Sequence, residues 1–213
     1  MLKKLIFNCI YGYKLEEDIP EINDRLVVAG DPACNIDTSF REISLPVNDA
    51  ALVSSLDEYE VTGFSMYPCG ISDRDHIYVQ RGFNNRDLSA NDFIMIKVNQ
   101  EDYSDEKVHF NHKLRRFLMN VKSTESLDDI VSKLKIIQPE ILLDSYKTRL
   151  AKKFSKSNER YGDVNEFSLS FTFKNGVMSY SFHPTEDIEG RVEYVYSREK
   201  KALRQSREFE PYS

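Results

Sequence analysis

The sequence predicts an α+β fold: an antiparallel, meander-rich sheet joined by three to four amphipathic helices. Three observations carry that expectation. The stretch EFSLSFTFKNGVMSYSFH alternates apolar and small polar residues on both sides of Asn175-Gly176, a strong signal for a two-residue hairpin loop. Leu127, Ile130, Val131, Leu134 and Ile137 recur at helical spacing after Ser126. Short β-branched and aromatic runs bounded by turn formers fill much of the N-terminal half.

Each element follows from its own residues. Leu5–Tyr11 and Leu26–Ala29 read as short buried strands, the second closed by Gly30-Asp31-Pro32. Ile43, Leu45 and Val47 alternate around Pro46, which confines them to an edge or a bend. Asn48 is placed to cap a short helix over Asp49–Leu56. Tyr59 and Val61, then Ile77–Val79, then Phe93–Val98 read as strands. Ser104 stands as N-cap of a helix whose apolar stripe is Phe110, Leu114, Phe117, Leu118 and Val121. Ser126 starts a second helix, ended by Pro139, and a third carries Leu142, Leu143, Tyr146, Leu150 and Phe154.

The two-residue hairpin loop fixes a register. It pairs Lys174 with Val177, Phe173 with Met178, Phe171 with Tyr180 and Leu169 with Phe182. The opposite face, with Ser168, Ser170 and Thr172, is expected to meet water or a partner. Val192, Tyr194 and Tyr196 suggest a further strand, and Ser197 a cap for a last basic helix to about Arg207. Residues 1–213 read as one domain, with a sub-boundary near 100–104 where charge and structural type change together.

Composition narrows the class. With 40% hydrophobic and 30% charged residues, the chain can build a core, so wholesale disorder is not expected. No apolar run approaches the ~20 residues of a membrane helix, so no membrane partner is expected. Cys9, Cys34 and Cys69 are scattered and odd in number, which points to a reducing, cytoplasmic setting and unreactive thiols. The net charge of −6 conceals an asymmetry: residues 1–106 carry −11 and residues 107–213 carry +5.

Motifs for chemistry are few. There is no G-x-x-x-x-G-K-[ST], no G-x-G-x-x-G and no G-x-S-x-G, so no nucleotide cofactor and no catalytic residue is assigned. His183-Pro184-Thr185 has the form H-x-T but no second copy, and reads as a strand end. On a helix, Asp105, His109 and His112 share one face at i, i+4 and i+7, a spacing able to ligate a metal. That face lies opposite the apolar stripe, so the default reading is a solvated one. Asp73, Asp75 and His76 could hold a divalent cation before a strand, though turn chemistry explains them as well.

The basic residues have more bulk. Lys113, Arg115 and Arg116 lie in HKLRR, and Lys147, Arg149, Lys152, Lys153, Lys156 and Arg160 in KTRLAKKFSKSNER. Converging faces of this kind contact phosphates and release counterions. The leading functional expectation is a non-catalytic protein-interaction module, a subunit, adaptor or inhibitor using its acidic N-terminal half and an exposed sheet face. The alternatives are a nucleic-acid-binding or ribonucleoprotein subunit and, last, a metal-dependent hydrolase.

Overall fold

A computed structural model describes residues 25–29, 41–98, 112–137, 144–174 and 177–208. In chain order its elements are β1 (Leu26–Val28), α1 (Val47–Val53), β2 (Asp57–Thr62), β3 (His76–Gln80), β4 (Phe93–Lys97) and β5 (His112–Lys122). Then follow α2 (Leu127–Ile137), α3 (Asp144–Arg160), β6 (Glu166–Lys174), β7 (Val177–Pro184), β8 (Ile188–Ser197) and β9 (Ala202–Gln205). The predicted strand Leu5–Tyr11 lies outside the described residues.

All the strands belong to one sheet, ordered β1-β2-β3-β8-β4-β5-β6-β7, with β9 beside β8. β1 also pairs with β5 at Val28 and Lys113, so the path from β1 round to β5 closes into a six-stranded ring. β1 runs parallel to β2 and to β5, and the other pairs are antiparallel. The sheet is therefore mixed, and β8 separates β3 from β4. β4–β5–β6–β7 is a consecutive antiparallel run, and its last two strands continue outward from the ring. The α+β class stands.

The core follows from alternation. Tyr59 and Val61 of β2, Ile77 and Val79 of β3, Val192 and Val195 of β8, Phe93 and Met95 of β4, and Leu114 and Leu118 of β5 are buried together. Gly190 sits where β8 presses against β3: a Cβ there would meet Val79 Cγ1 at 2.2 Å. The same core runs on under α2 and α3, which bury Ile130, Val131, Leu134, Leu150 and Phe154 against Phe167, Leu169 and Phe182. On the other side of β4 and β5, Ile94, Ile96, Val98 and Phe117 form a smaller cluster.

Several expectations meet their physical test here. The hairpin register is the one the loop length requires, from Lys174–Val177 through Leu169–Phe182. Its polar face is not open along β6, because Ser168 and Ser170 are fully buried. Ser126 caps α2: its Oγ accepts from Asp129 N at 3.2 Å and donates to Asp129 Oδ2 at 2.6 Å. α1 begins at Val47, one residue before Asn48, and Pro46 supplies its first carbonyl to Ala50 N.

Two predicted helices are corrected. The helix expected from Ser104 to Val121 is the strand β5 over its described part, buried on both faces. Sheet pairing on either side satisfies its backbone and overrides the helical spacing of its apolar residues. The basic C-terminal helix is instead β9, reached through a turn in which Lys201 takes a left-handed conformation (φ 50°).

Candidate nucleic-acid interface

α3 is built from a repeating four-residue rhythm. Tyr146, Leu150 and Phe154 fall at i, i+4 and i+8 on its inner side, and strong helix formers fill the positions between. Tyr146 meets Tyr180 edge-on, with ring centroids 6.4 Å apart. Phe154 lies 5.2 Å from the Phe182 ring and 6.4 Å from that of Phe167. These contacts fix the rotation of the helix and so decide which residues meet solvent.

The exposed side is cationic. The helix carries six Lys and Arg residues against Asp144 and Glu159. Arg149, Lys152, Lys156 and Arg160 fall at i, i+3, i+7 and i+11, which places them along one stripe, and all four are exposed. Among the described residues no carboxylate forms an ion pair with Arg149, Lys152 or Lys156. Lys147 and Lys153 are half-buried. Lys153 Nζ donates to the Tyr180 carbonyl and so is committed to the sheet. Glu159 accepts the Ser155 hydroxyl at 3.2 Å, and Arg160 stacks 5.4 Å from the centre of the Tyr161 ring.

The remaining predicted basic residues are elsewhere. Lys113, Arg115 and Arg116 are buried in β5 and so do not extend the exposed stripe. Arg116 packs into the core, 5.3 Å from the Phe171 ring centre, and donates to Asn91 Oδ1. It also lies beside the Cys69 thiol, which burial raises to about 11 despite that neighbouring charge. Cys9 and Cys34 lie outside the described residues.

The metal candidates separate. Asp105 and His109 lie outside the described residues. His112 stands at the start of β5, its Nε2 paired with Glu189 and its ring edge-on to Tyr59 at 5.8 Å. Among the described residues no group of three His, Cys, Asp or Glu side chains converges as a metal site would require. Asp73 accepts Gly63 N at 2.7 Å, and Asp75 accepts Ser72 N at 2.8 Å and Arg198 N at 3.0 Å. Those carboxylates hold a turn together. His76 turns instead to Glu58, with Nδ1 2.8 Å from Oε1. Burial pushes the Glu58 carboxyl up, but the His76 hydrogen bond and the charges of His76 and Arg25 outweigh it and hold the carboxyl below its ordinary value.

His183 supplies a measurable consequence. Its Nε2 is sealed from solvent at the end of β7. Burial holds the imidazole well below its ordinary value, and the nearby charges of Arg115, Lys113 and Lys153 add to that. The native state therefore keeps His183 neutral, whereas the unfolded chain takes up a proton below about pH 6.5. Stability is complete above that point and falls as the pH drops, by up to about 1.4 kcal/mol per pH unit. Urea midpoints compared between about pH 7.5 and 5.5 should show this slope, and His183→Gln should remove it. Equal slopes in the two proteins would sink the assignment.

Sequence reasoning names the basic residues of this segment, Arg160 among them, but not which of them share the exposed stripe; Arg160 continues the i+4 series from Lys156. No helix among the described residues is long and apolar enough to cross a membrane. No protein-family model matches the chain, and no curated protein or solved structure gives a significant match to it.

Proposed function

We propose that this chain acts by binding, and that α3 carries a nucleic acid along its exposed cationic stripe. One observation supports the reading above the others: Arg149, Lys152 and Lys156 are exposed in a row, and among the described residues none of them makes an ion pair. The spacing is costly without a ligand. Arg149–Lys153, Lys152–Lys156 and Lys156–Arg160 are all like-charge i, i+4 pairs, each destabilising a helix by about 0.2–0.5 kcal/mol. A polyanion offsets that repulsion and gains the entropy of its released counterions.

The test is a fluorescence-anisotropy titration with labelled nucleic acid at several salt concentrations. Wild-type protein should bind, and the double variant Lys152→Glu/Lys156→Glu should lose at least about tenfold in affinity, as removal of phosphate contacts predicts. Both positions are exposed, so the far-UV circular dichroism should not change. Unaltered binding by the double variant would remove α3 from the interface.

A second reading, a protein-interaction module, is favoured by α1. That helix buries only Val53, while Val47 and Leu52 are 85% and 56% exposed. Exposed apolar side chains of this kind are points on which another protein can pack. Co-purification separates the readings: a bound protein lost in Leu52→Asp but retained in the α3 variant would favour α1.

A further inference from the structure

We infer that the nucleic acid held by α3 is a duplex, gripped by its phosphate backbone without preference for base sequence. The inference rests on the proposed role of α3 and narrows it. From Arg149 to Arg160 the stripe is about 16 Å long at 1.5 Å per residue. Each strand of a duplex rises about 3.4 Å per phosphate along its axis, so the stripe covers the axial rise of about five base pairs. Four cations at fixed spacing on a helix pinned to the sheet match a rigid row of charges. They have less to gain from a chain that must first be ordered.

The side chains beside the stripe argue the same way. Single strands are held largely by stacking bases on aromatic rings. The aromatic residues of this region are already committed: Tyr146 to Tyr180, Phe154 to Phe167 and Phe182, and Tyr161 to Phe167. Beyond the cations themselves, reading base edges calls for free amides or hydroxyls within a groove. The Asn158 amide donates to the Ser123 carbonyl at 3.1 Å, and the Ser155 hydroxyl is taken by Glu159. What α3 offers outward is charge, and charge contacts position a protein on nucleic acid without specifying sequence.

Anisotropy titrations with two short DNA duplexes of unrelated sequence, one of their single strands and poly-glutamate test this. The duplexes should bind within about twofold of each other and at least about fivefold tighter than the single strand. The logarithm of affinity should fall against the logarithm of salt with a slope of about −3.6, for four contacts at 0.9 each. Lys156→Ala should reduce that slope by about 0.9. Single-strand binding as tight as duplex binding, or a clear preference between the two duplexes, would overturn the duplex inference and leave α3 as a nucleic-acid surface. No binding to any nucleic acid, or poly-glutamate held as tightly as the duplexes, would overturn both.

Discussion

Phe167→Ala is expected to remove about 3–5 kcal/mol of stability, the range for deleting a large buried aromatic side chain. Phe167 is fully buried in β6, where helices meet sheet. Its ring lies 6.4 Å from those of Phe154 and Phe182, nearly perpendicular to both, and 6.2 Å from that of Tyr161. The substitution therefore opens a void and also breaks three edge or tilted ring contacts, which contribute beyond their buried area. A domain of ordinary stability has about 5–15 kcal/mol in all, so this one change consumes much of it. Urea denaturation followed by far-UV circular dichroism suits a chain without tryptophan. The midpoint should fall while the slope of the transition holds. A loss below about 1.5 kcal/mol would mean that α3 collapses onto the space and that the aromatic cluster is not the joint described here.

Glu60→Ala is expected to cost about as much, 3–5 kcal/mol, for an electrostatic reason. Glu60 is fully buried in β2, between β1 and β3. One oxygen accepts Arg41 N at 2.6 Å and the other accepts Arg74 Nη1 at 2.8 Å. A single carboxylate thus holds two separate loops to the ring. Arg74 needs that hold, since its backbone lies in the left-handed region at φ 68°. Removing the carboxylate withdraws the main counter-charge of a mostly buried guanidinium and orphans a backbone donor. Glu60→Gln keeps an acceptor for Arg41 N and should cost distinctly less. In Glu60→Ala/Arg74→Ala the two losses should fall short of their sum, because the second change removes a group whose shorter ion pair the first has already taken away. Additive losses would show that the pair is not coupled.

What could be read from sequence depended on how many constraints a segment carried. In the hairpin, alternation and a two-residue loop point to one register, and β6 and β7 pair that way. In α2, the stripe and the Ser126 cap agree on one start. β5 offered no such agreement. Its apolar residues happen to satisfy helical spacing, while both of its faces are buried and its inward positions include Arg116. A register shift between Phe117 and Met119 then carries Met119 and Val121 into the main core, which breaks the alternation that marks a strand. The cationic stripe was legible as composition, but its membership was not. Which lysines of KTRLAKKFSK face outward depends on aromatic contacts with strands far along the chain.

The closing of the ring has a consequence for how copies of this protein behave together. A sheet that joins its own ends has few exposed backbone edges on which another chain can grow. Among the described residues β7 pairs only with β6, as β9 does with β8, so these two strands lie at edges of the sheet. Lys153 reaches the outer side of β7 and occupies the Tyr180 carbonyl, so a charged group stands where an incoming strand would register. Neighbouring lysines of one helix thus face opposite ways: Lys152 and Lys156 stand out in solvent, and Lys153 turns back to the edge of the sheet.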